Sequence, residues 1–327
     1  MNRLRVGVLG VGVQGHLHSR TLATMPNVEF VGVAEANVER REKVSGEFGI
    51  RGFDSLAAML PHIDAVSICM PDHLHEAPAI EALEAGKRVL LEKPMSISTA
   101  SCDAIMARCP DPDALMIGHI LRFDPRVIRA RELVAAGELG DLWHVKVWRS
   151  TSQAVGVGIW DRTSVAWFLG VHDADLIRFV TGQDVEVVGA IGRNVLSPAE
   201  ADIVHALIRL DGGAVGTMEN SWTLPHSRPS RADAGFRLIG SKAAIEVSLS
   251  HNDLLMVPRD GGSAVNMDTY FWPSRTGQGA YNLRTELDAF VSAALTKGPT
   301  PISGQEGRAA IAIVEAIEKA LAAGGKA

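Results

Sequence analysis

The run Val6-Gly7-Val8-Leu9 breaks into Gly10-Val11-Gly12-Val13-Gln14-Gly15, three glycines spaced G-x-G-x-x-G. That spacing suits a chain that turns sharply off a strand, leaves its backbone bare, and starts a helix against that strand. Gly10 permits the tight turn, Gly12 lets the backbone approach a pyrophosphate, and Gly15 allows close helix packing. The first N–H groups of the helix, at Val13 and Gln14, then face the phosphates. Glu35 ends the next apolar run 20 residues after Gly15, where a carboxylate accepts hydrogen bonds from a ribose diol and repels a 2′-phosphate. Ala36 and Asn37 bring no cation beside it, and Arg40 and Arg41 come a turn later. Together these residues read as a dinucleotide site that prefers NAD to NADP.

The second chemical feature is Leu91-Glu92-Lys93-Pro94. Pro94 cannot donate to a ladder and holds Lys93 extended, so the strand stops and the lysine is aimed at the crevice where open α/β sheets bind ligands. Pro71 and His73 follow the preceding strand at the same sheet edge, which adds them and Glu92 to the cofactor side. His16-x-His18 and His73-x-His75 each offer two imidazoles, but i, i+2 spacing splits ligands across a helix and no third ligand is near in sequence. No metal site is therefore read from them. Without a G-x-S-x-G elbow, serine hydrolysis has no support.

Positioning such residues requires a sheet with its strand ends along one edge. Over the first 120 residues, apolar runs at 4–9, 28–34, 63–70, 89–91 and 114–117 alternate with helical patterns at 15–24, 38–48, 73–85 and 99–107. Near-continuous apolar strands between helices predict a Rossmann-type, doubly wound parallel sheet over 1–120. From 121 to 327 the pattern predicts an α+β domain with an open, mostly antiparallel sheet: a helix at 125–136, strands at 142–152, 185–192, 202–210, 214–222, 235–239 and 244–249, and the hairpin turn Asp211-Gly212-Gly213. A helix begins at His172, two more span 281–295 and 306–322 and could pack back on the first domain, and Gly324-Gly325-Lys326-Ala327 forms a frayed tail. In the strand 202–210 one face carries Val204, Ala206, Ile208 and Leu210, while the other, with Ile203, His205, Leu207 and Arg209, is only half polar. Such a face predicts self-association as a homodimer or homotetramer, which light scattering reads directly.

The 327 residues are 46 % hydrophobic and 21 % charged, with a formal charge of −6. That composition builds a large core and argues against a nucleic-acid backbone or an anionic membrane as partner. Cys69, Cys102 and Cys109 form no C-x-x-C pair, which suits a reducing, cytoplasmic setting. There is no stretch of 18 apolar residues, and the N-terminal apolar run lacks a cleavage pattern, so the chain is read as starting at Met1.

The glycine turn, Pro71-Asp72-His73-Leu74-His75, Ala85-Gly86-Lys87 and Glu92-Lys93-Pro94 together resemble the Gfo/Idh/MocA oxidoreductases, the family of glucose–fructose oxidoreductase and inositol dehydrogenases. The likeness continues through Arg122-Phe123-Asp124-Pro125, Gly170-Val171-His172-Asp173-Ala174-Asp175 and Gly240-Ser241-Lys242-Ala243 to Glu286-Leu287-Asp288-Ala289-Phe290. It implies that Lys93 sits beside the nicotinamide and the reacting carbinol, with His172 sharing the proton transfer. A cationic ring beside an amine favours the neutral amine, and the first turn of a helix favours neutral imidazole, so both could act as bases. The family's dehydrogenases often carry an aspartate four residues before this histidine; here Phe168 stands there, beside Trp167. Asp161 and Asp175 are candidates to replace it, and Arg149, Trp160, Arg162 and His226 are candidates for the substrate pocket. The resemblance implies hydride transfer between NAD and a secondary hydroxyl or ketone of a sugar, sugar derivative or cyclic polyol. The alternatives are redox-assisted elimination, epimerisation or glycoside cleavage without net NADH, and a non-catalytic dinucleotide sensor.

Overall fold

The computed structural model describes residues 3–198, 200–227, 232–250, 255–256, 265–266 and 281–324. The chain forms two compact units, Met1–Phe123 with Phe271–Arg308, and Asp124–Tyr270 with Ala309–Ala327. Of the C-terminal tail only Gly324 lies within the described residues.

In the first unit β1 (Leu4–Leu9), α1 (Val13–Leu22), β2 (Val28–Ala34), α2 (Val38–Phe48), β3 (Arg51–Phe53), α3 (Leu56–Met59), β4 (Ala65–Ile68), α4 (Glu76–Glu84), β5 (Arg88–Glu92), α5 (Thr99–Ala107) and β6 (Leu115–Gly118) follow in order. The strands make one sheet, β3-β2-β1-β4-β5-β6, every pairing parallel. Val6, Val8, Val66, Ile68, Leu90 and Leu91 are fully buried, as expected of strands covered on both faces. α2 has the boundaries the sequence predicts: Asn37 caps it by accepting from the Arg40 N–H at 2.9 Å, and Gly49 ends it at φ 65°. The helix expected over 73–85 is instead a 3₁₀ turn, Asp72–Leu74, followed by α4. Pro78 explains the later start, because proline is tolerated only in a helix's first turn. β3 escapes sequence reading because three residues, two of them Arg51 and Gly52, carry no periodic signal. α9 (Tyr281–Thr296) belongs to this unit and packs on α1.

The second unit holds α6 (Pro125–Ala135), β7 (Leu142–Ser152), α7 (Gln153–Val157), a π-turn at Ala166–Gly170, α8 (Val171–Thr181), β8 (Val185–Arg193), β9 (Ile203–Leu210), β10 (Val215–Leu224), β11 (Ala232–Gly240), β12 (Ala244–Ser248), and the short pair β13 (Leu255–Met256) and β14 (Val265–Asn266). α10 (Gly304–Ala322) closes the chain. The large sheet runs β12-β11-β7-β10-β9-β8; β7 and β10 are parallel and the other neighbours antiparallel. β9 alternates as its sequence predicts, with Val204, Ala206, Ile208 and Leu210 inside. On the other face, Ile191, Leu207 and Val215 stand more than half exposed among ion pairs such as Lys146–Glu219 at 3.0 Å and Arg209–Glu186 at 3.0 Å.

A second local expectation is also overturned. The helical run through His172 starts at Val165, passes through the π-turn and continues into α8, because Gly170 is itself helical at φ −62°, ψ −31°. His172 therefore lies well past the first turn. The helix-terminus field, which fades within a turn, gives no reason for its imidazole to be neutral.

Candidate active site

β1 delivers the chain into the glycine turn at its C-terminal end. Gly10 has φ +79°, and a side chain there would also meet the Cys69 carbonyl oxygen at 3.0 Å. A Cβ on Gly15 would fall 1.8 Å from the Gly10 carbonyl oxygen, so α1 can lie this close only with glycine at its third residue. Among the described residues nothing stands within 4 Å of a Cβ placed on Gly12 and no side chain caps α1, and Val13 is 84 % exposed. A helix start with uncapped N–H groups beneath open space is what a pyrophosphate requires. Glu35 braces the turn: its Oε2 accepts from the Val11 N–H at 3.1 Å and its Oε1 from the Asn37 N–H at 3.0 Å. Arg40 reaches the same carboxylate, Nη1 lying 3.4 Å from Oε2. The residues present thus fit a dinucleotide.

β5 ends at the same edge, since the strands are parallel. Lys93 is half-buried and its peptide bond to Pro94 is cis. Its main-chain N–H donates to Glu92 Oε2 at 3.1 Å, while Glu92 Oε1 pairs with His18 Nε2 at 3.0 Å and accepts from the Gln14 amide at 3.4 Å. Gln14, expected only at the phosphates, thus also links α1 to the end of β5. His18 is fully buried, its Nδ1 2.8 Å from Ser67 Oγ. Burial works against the Glu92 carboxylate, but His18 and Lys93 outweigh it and hold its pKa below the ordinary value. Burial likewise opposes charge on His18, yet Cys69 and Glu92 push its pKa well up. From α9 the buried Glu286 completes a cluster with His18 and Glu92, their ligand atoms all within 4.8 Å of one another. Burial and the Glu92 charge drive the Glu286 pKa well up, against the pull of His18.

His75 is the other residue missed by spacing. It is 1 % exposed, with Nδ1 2.8 Å from the Pro94 carbonyl and Nε2 2.9 Å from the Met70 carbonyl, so it ties the loop after β4 to the Lys93–Pro94 turn. Burial lowers its pKa. Pro71 and His73, the residues singled out in that loop, are exposed, and His73 leans on Asp72 at 3.5 Å.

In the second unit His172 is half-buried on α8, and Asp175, 1 % exposed, follows three residues later on a regular helix and so on the same face. Phe168 lies half-buried in the π-turn and Trp160 is half-buried after α7, whereas Asp161, Arg162 and His226 are exposed. Arg149 on β7 is committed to the interior: its Nε donates to Asp173 Oδ1 at 2.9 Å, and Asn220 donates to Asp173 Oδ2 at 2.7 Å. Burial raises the Asp173 pKa despite Arg149. These partners are 24 and 47 residues from Asp173 in sequence, so only the fold brings them together.

Residues 4–119 match the oxidoreductase family model described as an NAD-binding Rossmann fold, and residues 127–246 match the GFO/IDH/MocA C-terminal domain. A scyllo-inositol 2-dehydrogenase (NAD(+)) of Bacillus subtilis is 28 % identical over 275 residues, 80 % of this chain and 79 % of that protein. A UDP-N-acetylglucosamine 3-dehydrogenase of Acidithiobacillus ferrooxidans is 28 % identical over 95 % of both chains. The crystal structure of a Lactobacillus casei scyllo-inositol dehydrogenase with bound NAD(H) and scyllo-inositol superposes at a TM-score of 0.83 over 98 % of both chains, at 22 % identity, and shares the fold. With the glycine cradle, the Glu92-Lys93-Pro94 turn and both family domains in their order, this chain belongs to the Gfo/Idh/MocA oxidoreductases, its first unit being their NAD-binding Rossmann domain.

Proposed function

We propose that the protein is an NAD-preferring dehydrogenase that acts on a secondary hydroxyl, or the corresponding ketone, of a cyclic polyol, sugar or sugar derivative. The observation that carries this reading is the anchoring of Lys93 at the C-terminal end of β5, on the sheet edge that also bears the glycine turn. NAD, when bound, accepts the carbinol hydrogen as hydride. The hydroxyl proton must leave in the same event, and the Lys93 amine receives it, with His172 assisting from α8. Glu92 and His75 hold the main chain on either side of the amine through the Lys93 N–H and the Pro94 carbonyl. The relatives' names support the substrate class, spanning an inositol and a nucleotide sugar. Phe168, in place of a carboxylate, supports an apolar wall suited to a sugar ring's C–H face. The apolar residues on the open face of the large sheet support assembly as a homodimer or homotetramer.

The test follows NADH absorbance over inositols, other polyols, aldoses and amino or acid sugars, with NAD and NADP in parallel. Lys93→Met is expected to cut turnover by about 10²–10⁴-fold while calorimetric NAD affinity stays within about threefold. Full turnover in that variant, or no NADH with any member of the panel, refutes the proposal.

A further inference from the structure

Glu286 lies in the cluster behind the Lys93 turn, and the proposed reaction does not use its chemistry. It projects from α9, is 0 % exposed, and among the described residues neither carboxyl oxygen has a hydrogen-bond donor. An ionised carboxylate left bare in this setting would cost far more than a proton does. Glu92 and His18 stand close by, one ligand atom from each of the three within 4.8 Å of the others, and a small side-chain shift or one bridging water closes the gap to Glu92. Glu92 already accepts from His18, Gln14 and the Lys93 main chain. A second negative charge beside it would push Glu92 away from those donors.

We propose that Glu286 is a positioning residue for Lys93: its carboxyl stays protonated, donates that proton to the Glu92 carboxylate, and so keeps Glu92 on the Lys93 N–H. The inference rests on the dehydrogenase reading for its kinetic consequence only. Counting charges supports it: cationic His18, anionic Glu92 and neutral Glu286 leave the buried trio with no net charge. Burial and the Glu92 charge act on Glu286 in the same direction. The same three residues form a set with metal-ligand chemistry. A cation, however, would require His18 to give up the nitrogen now paired with Glu92, and the burial of all three side chains disfavours entry of an ion.

The test compares wild type with Glu286→Gln, which keeps a donor of the same shape, and Glu286→Leu, which has none. Glu286→Leu is expected to lose about tenfold or more in kcat, with calorimetric NAD affinity unchanged, and Glu286→Gln to recover most of that loss. The infrared difference between wild type and Glu286→Gln should contain the carbonyl band of a neutral carboxylic acid, shifted in D₂O. That measurement requires neither turnover nor the leucine variant. If no substrate is found, the dehydrogenase reading falls while the band still decides the proton. Absence of the band, wild-type kcat in Glu286→Leu, Glu286→Gln as slow as Glu286→Leu, or a stoichiometric metal in the purified protein would each overturn the proposal.

Discussion

Alanine at Gly15 would put a methyl group where main chain already stands. Its Cβ would lie 1.8 Å from the Gly10 carbonyl oxygen and 2.9 Å from the carbonyl carbon, so α1 must move off the turn or the turn must open. Gly10 has little room to yield, with φ +79° and the Cys69 main chain on its other side. Overpacking of this kind costs about 2–3 kcal/mol. At about 2–4 °C per kcal/mol for a unit of this size, Gly15→Ala should lower the melting temperature by about 4–12 °C. Gly12→Ala isolates the other role of the motif. A Cβ there meets nothing within 4 Å, and the change of N-cap residue costs about 1 kcal/mol or less. Yet that methyl stands where a pyrophosphate must come, so NAD affinity should fall at least about tenfold, or 1.4 kcal/mol. Thermal melts by circular dichroism and calorimetric NAD titrations of both variants separate the two effects. Wild-type NAD affinity in Gly12→Ala would mean that the cofactor does not lie over this turn. A wild-type melt of Gly15→Ala would mean that α1 does not approach Gly10 as described.

Glu35→Ser should lower the ratio of kcat/KM for NAD over NADP by about tenfold or more. It removes the carboxylate that repels a 2′-phosphate and frees Arg40, now 3.4 Å from it; an unchanged ratio in steady-state kinetics would count against Glu35 as the selector. Asp202 accepts from the Val195, Leu196 and Ser197 N–H groups at 2.6, 2.5 and 2.9 Å and from Trp222 Nε1 at 2.5 Å. Burial opposes the Asp202 charge, but these donors prevail and hold its pKa below the ordinary aspartate value. Its stabilisation is therefore complete above the unfolded pKa, about 3.9, and disappears as pH falls through the lower folded value. Asp202→Asn should melt lower at pH 7 and show a shallower loss of melting temperature on acidification; parallel acid limbs for variant and wild type would refute the assignment.

Motifs that depend on neighbours in sequence were legible, and groups assembled by the fold were not. The glycine turn, α2, α5 and β7 follow from local spacing, capping and apolar runs, and the structure has them within a residue or two of their predicted places. Lys93 is readable because a single proline ends its strand. The residues that hold Lys93 are another matter. His18 shares a face of α1 with Gln14 at i, i+4, a spacing that becomes informative only once Gln14 is known to reach Glu92. The His16-x-His18 and His73-x-His75 pairs are uninformative as pairs because their members part ways: His18 and His75 are buried, whereas His16 is half-buried against Glu47 and His73 is exposed. Glu286 lies 194 positions beyond Glu92, and no local pattern separates a buried glutamate from an exposed one on a helix.

The same division explains how the second unit treats its aspartates. Asp161, Asp173 and Asp175 all lie within a dozen residues of His172, and the sequence offers Asp161 and Asp175 as candidates for the carboxylate role at whose usual position Phe168 stands. Asp161 is exposed. Asp173 points into the protein and is bound by Arg149 and Asn220, so it fixes α8 to the sheet and cannot also turn toward its neighbour His172. Asp175 alone is both buried and on His172's own helix face. The π-turn before α8 matters here too, since its i→i+5 spacing changes how Phe168 and His172 line up relative to a regular helix. Of the three, Asp175 is thus the aspartate that the helix sets on the face of His172, in the turn after the histidine, while Phe168 stands in the turn before it.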